Sequence, residues 1–519
     1  MTPSPRRSRR AVALAALLAL PALLAAAMAV PGPAAAHAID GVFQLPVPLW
    51  LYLAGAATAV VASFVVTALL ARRPAGGPGG YPFWPVPVAV ASTARAALRI
   101  LGLAWWYGAI GVGFVIGDIS PLPAVLVWVG IWVGLPIVAA VLGNPWPSLS
   151  PLRTTFAGLE WVARRLGVER LDAGVPYPSG LARWPAVALL TAGIWIELIL
   201  PGSSVAGTVA WLLVAYTILT LVGMTLFGQV AWLRNAELFE VELGWFGHIG
   251  PVGRRSRSAP LCDGCGEACD PARCIDCPEC AAAADDRERQ AVLRPWLVGL
   301  TDVDHARWSD AAFIVLALAG VSYDGMRETA FGAGLLGALL PPVQDVMGIT
   351  GASFIVVETL AFGLVVAAFI GAFVAVLLAT RALSDHGRRV DLSRTAGVYA
   401  ATLLPIAAGY VIAHYLTLVI RGVLWLPSLL ADPLMSLAPD MGWVPAAFVW
   451  YLSVGAIVAG HVAAIVLAHR LALRDAPSRP VLAGLPMVAL MVAYTILSLW
   501  IIAQPIVVDP GVAPTSALR

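Results

Sequence analysis

The strongest constraint on this chain is a recurrence: stretches of about twenty apolar residues, met about ten times, where about 30 Å of hydrocarbon takes that many residues of helix. They fall at 49–70, 98–116, 124–142, 185–200, 208–227, 311–321, 355–380, 397–420, 444–467 and 481–502. The fourth and sixth are the shortest. A backbone with no water to bond must bond to itself, so each is expected as a helix. Composition removes the alternatives. Of 519 residues, 60% are hydrophobic and 12% charged, against about 45–50% and about 25% in soluble domains. A water-soluble enzyme, a disordered chain and a fibrous chain are excluded. The expected fold is all-α, a polytopic transmembrane helix bundle in a lipid bilayer.

The net charge of +2 gives no basic face for nucleic acid. All 32 basic residues are arginines, so lysine nucleophiles and Schiff bases are out. At the N-terminus, Arg6, Arg7, Arg9 and Arg10 precede an apolar run from Ala11 to Val30 and the helix-breaking Pro31-Gly32-Pro33. That order reads as a signal peptide, residues 1–36, with cleavage after Ala36 or Ala38. The other reading is an uncleaved first helix.

Arginine then orients the chain. One set of loops carries Arg72, Arg73 and Arg95, then Arg153, Arg164, Arg165, Arg170 and Arg183, then the long loop 229–308, and later Arg381, Arg388, Arg389, Arg394, Arg470, Arg474 and Arg479. The alternate loops hold Asp118, Asp324, Asp345, Asp432 and Asp440, with Arg327 and Arg421 alone for cations. The positive-inside rule places the first set in the cytoplasm and both mature termini outside a plasma membrane. The expected organisation is a five-helix half over 37–228, a cytoplasmic loop over 229–308 and a second five-helix half over 309–519.

All six cysteines lie in that loop: Cys262, Cys265, Cys269, Cys274, Cys277 and Cys280. Two Cys-x2-Cys knuckles across a short turn can set four thiolates around one tetrahedral Zn²⁺. A reducing compartment argues against disulfides. Iron–sulfur ligation is the rival, since Cys274, Cys277 and Cys280 have cluster spacing, but the proline-flanked fourth ligand is missing. Either metal would most simply hold the loop together.

Ionisable side chains at membrane depth mark candidate sites, because burying them is costly. Tyr410, His414, Thr417 and Arg421 share one helical stripe by their spacing of four, three and four. His414, Arg421, Glu358, Glu197 and Asp324, with Arg327 beside it, converge on one depth in the outer half. One reading is a site for a second divalent metal or a substrate ion, with metal-bound hydroxide as nucleophile. The other is internal ion pairing. His461 lies at a different depth, in a small-residue seam of Ala456, Gly460 and Ala464 where packing is the simpler role. His37 would chelate copper with a free amino group if cleavage follows Ala36. Asp302, Asp304 and His305 read as a solvated loop end.

Several stretches together carry a resemblance. They are His37-Ala38 with Leu45-Pro46-Val47-Pro48-Leu49-Trp50-Leu51, Gly143-Asn144-Pro145-Trp146, Tyr323-Asp324-Gly325, Ala413-His414-Tyr415, Gly460-His461-Val462-Ala463 and Leu467-Ala468-His469. The chain resembles bacterial multi-spanning membrane proteins, common in actinobacteria, that are labelled fenitrothion hydrolase. The resemblance covers most of the chain outside the cysteine loop. It implies hydrolysis of a phosphotriester P–O–aryl bond in a hydrophobic small molecule, with a different native substrate. It brings no catalytic residues with it.

Two classes of function follow, with a third behind them. A membrane hydrolase would hold metal-bound water between His414 and Asp324, Glu358 or Glu197, with Arg421 or Arg327 steadying the developing charge. A transporter would use two five-helix halves of inverted topology around the long loop. Copper handling through His37 would call for more methionines near the outer face than Met326 and Met347. A partner membrane subunit is compatible with each.

Overall fold

The computed structural model describes residues 43–44, 49–70, 82–256, 275–276, 289–301, 303, 305–384, 391–434 and 437–508. The proposed signal peptide, His37, Asp302, Asp304 and all six cysteines lie outside them. In chain order the elements begin with β1 (Phe43–Gln44), α1 (Leu49–Leu70), β2 (Trp84–Pro85), α2 (Val88–Val115) and α3 (Leu122–Leu142). Short α4 (Trp146–Leu149) and α5 (Pro151–Arg165) lead to α6 (Trp184–Leu198), α7 (Ala206–Phe227), α8 (Gln229–Asn235) and α9 (Leu238–Gly247). Strands β3 (Val252–Ser256) and β4 (Arg289–Leu293) precede α10 (Trp308–Arg327), α11 (Ala330–Met347) and α12 (Gly351–Leu383). The chain continues through α13 (Leu392–Ala401), α14 (Leu404–Ala431), α15 (Ala446–Asp475), α16 (Pro480–Ile506) and β5 (Val507–Val508).

Ten helices among the described residues are long and apolar enough to cross a membrane, counting α13 and α14 as one run. The protein is an all-α, multi-pass membrane bundle. The ten include every expected segment except 185–200, which forms α6, a helix of 15 residues. They add α11, where Pro341 and Pro342 sit inside a helix whose only buried residue is Gly332. Tyr323 in the last turn of α10 hydrogen-bonds Glu358 in the second turn of α12. Both ends of α11 therefore return to one end of the bundle, and its apolar faces are left for lipid.

The chain forms two compact units. The first takes the described residues of Met1–Ala75, Asp304–Thr417 and Asp440–Arg519; the second takes those of Gly76–Val303 and Leu418–Pro439. In the first, α1 packs against α15 and α16, which pack on each other, and α10 lies against α12 and α13. The α14–α15 seam depends on missing side chains. A Cβ on Gly460 would stand 2.3 Å from the carbonyl oxygen of Pro405, and one on Gly409 would stand 2.5 Å from that of Ala456. Backbones this close are the reward of small residues in a helix seam. The expected single helix 397–420 is broken at Thr402 and Leu403. Pro405 has no N–H to continue a helix from Ala401, so α13 closes with Leu403 N bonding Ala400 O, and α14 begins afresh.

In the second unit, α2 packs against α7, and α9 against α3 and α6. The middle of α3, Val125–Gly134, widens to π geometry just ahead of Pro136. The segment after Phe227, expected as a loop, begins with the helices α8 and α9. Helix α9 is mostly apolar and nearly all of it is buried, with Glu240 and Glu242 as its two charged residues. Antiparallel strands in the order β2-β4-β3 complete the unit.

Candidate functional site

The first unit gathers the polar residues of α10, α12 and α14. His414 and Tyr410 stand one helical turn apart on α14, and their rings stack at 5.7 Å with 4° between planes. Asp324, in the last turn of α10, meets them. Its Oδ2 accepts from His414 Nε2 at 2.9 Å and from the Tyr415 hydroxyl at 2.8 Å. A carboxylate can only accept, so Nε2 carries the imidazole proton and Nδ1 is left as the basic nitrogen. Nδ1 has no hydrogen-bond partner among the described residues. The pair is not sealed, since 19% of the His414 side chain and 18% of Asp324 stay accessible.

Beside the pair, Tyr323 donates to Glu358 Oε2 at 2.6 Å and to the Glu358 main-chain oxygen at 3.1 Å. Arg327, one turn beyond Asp324's neighbour Tyr323, interacts electrostatically with both Asp324 and Glu358. Gly325 makes room for this arrangement. A Cβ there would fall 2.6 Å from the Tyr410 hydroxyl, 2.6 Å from Ile501 Cγ2 and 3.2 Å from His414 Cε1. Gly325→Ala should therefore push Tyr410 and His414 aside and cost about 1–3 kcal/mol by overpacking. A lower thermal midpoint of the purified variant checks it; an unchanged midpoint would show that the rings adjust freely.

The expected residues divide. Asp324, His414 and Glu358 come together, with Arg327. Glu197 belongs to the second unit, where its carboxylate takes the Trp132 indole N–H. Arg421 is exposed on α14, in the stretch that also belongs to the second unit. His461 is buried in α15 with Nδ1 2.8 Å from the Ile457 oxygen. His469 is buried edge-on to Phe64. Tyr415 escapes the stripe of Tyr410 and His414 because it lies more than a quarter of a turn off it. A signal existed in the dipeptide His414-Tyr415, whose neighbours on a helix can reach one acceptor from two sides.

A second polar centre lies in the second unit. Glu237, wholly buried, caps α9 by accepting from Phe239 N at 3.3 Å and Glu240 N at 2.6 Å. It also takes the Trp146 indole N–H at 3.0 Å and the Tyr216 hydroxyl. Glu242, five residues on, is 7% exposed, and its Oε2 is buried without a hydrogen-bond partner among the described residues.

No three His, Cys, Asp or Glu side chains form a metal-binding group among the described residues. Asp324 and His414 face each other, and Tyr323 donates to Glu358. The chain matches no family model, no curated protein and no solved structure. Any functional reading rests on the site itself.

Proposed function

We propose that this membrane protein is a hydrolase of lipid-soluble esters, with His414 as the general base that activates water. The observation that carries this reading is the His414–Asp324 hydrogen bond in a partly accessible setting. Asp324 fixes the ring and its tautomer and balances the charge of the imidazolium that forms. Water held at Nδ1 gives up its proton as its oxygen attacks the ester centre. The bond to the leaving alkoxide or aryloxide then breaks, and the imidazolium returns the proton to it. Arg327 lies where a cation can steady negative charge on the centre under attack.

The resemblance to fenitrothion hydrolase-labelled proteins supports a phosphotriester as one such ester. The arginine-rich loops support an outer-face position for the pair. A transporter of two five-helix halves is less favoured, because α1 packs with α15 and α16 from the other half of the sequence. The test is release of nitrophenol from fenitrothion by detergent-purified protein. Turnover by the wild type, lost in His414→Ala, supports the hydrolase; no turnover, with solute uptake by vesicles carrying the protein, supports a transporter.

For the six cysteines we propose structural zinc on their spacing alone. Elemental analysis should find zinc in the purified chain and lose it in a Cys274→Ser, Cys277→Ser variant. Iron with a visible charge-transfer band would point to a cluster instead.

A further inference from the structure

We infer that the second unit contains a proton-binding site, in which Glu237 and Glu242 together hold one exchangeable proton, carried by Glu242. The inference stands on geometry and is independent of the hydrolase reading. Glu237 accepts four hydrogen bonds, from Trp146, Tyr216, Phe239 N and Glu240 N. Four donors fill the acceptor positions of a carboxylate, so protonating Glu237 means giving one of them up. Glu242 is the opposite case. It is buried beside that charge, with no donor to its Oε2. An unpartnered carboxylate out of water is among the costliest groups a protein can hold, whereas its neutral acid is cheap. Two carboxyls in one buried place settle this by sharing a proton.

The surrounding charges are already committed elsewhere. From α5, Arg153 pairs with Glu240 at 3.0 Å. Arg183, just before α6, lies over the Trp245 ring at 5.6 Å, and Glu197 within α6 holds Trp132. His248, which follows α9, bonds the Gly244 oxygen through Nδ1. At the far end of α9, Arg294 bonds the Gly247 oxygen and pairs with Asp276, and Arg254 bonds the Asn144 oxygen. Helices α3 and α4 carry no ionisable side chain. Burial, reinforced by the charge of Glu237, pushes the Glu242 carboxyl up to about 8. Burial also pushes Glu237 up, to about 7, against the pull of its donors.

Infrared spectroscopy of the whole protein in detergent tests this. A protonated-carboxyl stretch should be present at about pH 6 and fade as pH passes about 8. Glu242→Gln, which keeps the shape of the side chain, should remove the part of it that persists to about pH 8 and leave only what Glu237 contributes at lower pH. Glu237→Gln should move its fading to lower pH, since the like charge is gone. A stretch that survives Glu242→Gln unchanged, or none at about pH 6, overturns the assignment. If Glu237→Gln does not fold, the wild type and Glu242→Gln decide the matter alone. Heat gives a second readout. The folded pKa of Glu242 lies above the unfolded value of 4.5, so the folded chain keeps a proton that the unfolded chain has lost. The thermal midpoint of the wild type should then fall as pH rises between about 4.5 and about 8, and that of Glu242→Gln should fall less. Equal slopes would overturn the assignment.

Discussion

Alanine at position 414 is expected to slow fenitrothion hydrolysis by about 10²–10⁴-fold, the usual contribution of a positioned general base. The variant should stay folded, because His414 is partly exposed and its loss leaves Asp324 with the Tyr415 hydroxyl at 2.8 Å. A milder substitution is the sharper test. Asn in place of Asp324 keeps the shape but can offer an N–H to Nε2, which then has to accept. The imidazole proton moves to Nδ1, and the base is lost with every atom close to its place. Asp324→Asn should therefore approach His414→Ala in rate, while Tyr415→Phe, which removes one of two donors to the carboxylate, should cost about tenfold or less. If His414→Ala runs within about twofold of the wild type, the base lies elsewhere.

The second large effect concerns stability. Asp276→Ala should destabilise the second unit by about 3–5 kcal/mol, the cost of breaking a buried ion pair from one side. Arg294 is wholly buried and meets Asp276 Oδ2 at 2.7 Å. It also bonds the oxygens of Gly250 at 3.3 Å and Gly247 at 3.1 Å, which offer dipoles rather than charge. The carboxylate also takes the Arg254 N–H at 2.9 Å, and Asp276 sits at a φ of 61°, which Asp and Asn tolerate better than most residues. Asp276→Asn keeps the backbone preference and one hydrogen bond, and removes only the charge. It should fall between the wild type and Asp276→Ala in thermal midpoint. An Asn variant as unstable as the Ala variant would assign the whole effect to charge; two variants as stable as the wild type would remove the pair from the account.

The bundle was legible because lipid imposes one simple rule, a length of apolar helix, on each crossing. What escaped it obeys other rules. Helix α11 hid behind Pro341 and Pro342, which elsewhere end helices but here lie on a face with nothing packed against it. Helix α9 is too short to cross anything, so a search by length passes over it, although Leu238, Phe239, Val241, Leu243, Trp245 and Phe246 already gave it a broad apolar surface. Depth was enough to bring Asp324, His414 and Glu358 together as candidates. It could not separate them from Glu197, because depth fixes one coordinate of three and Glu197 meets Trp132 in the other unit. Pairing within the site depended on the small volume of Gly325, which no period or charge pattern announces.

The contact of α1 with α15 and α16 sets an order of events during synthesis. Roughly 400 residues separate α1 from the start of α16, which is about 20–80 s of translation at 5–20 residues per second. For that time α1 waits in the bilayer without its partners, while most of the second unit, whose sequence lies between, is already made. The second unit thus gets nearly its full complement of helices first. The unit holding Asp324 and His414 closes only when the last helix arrives.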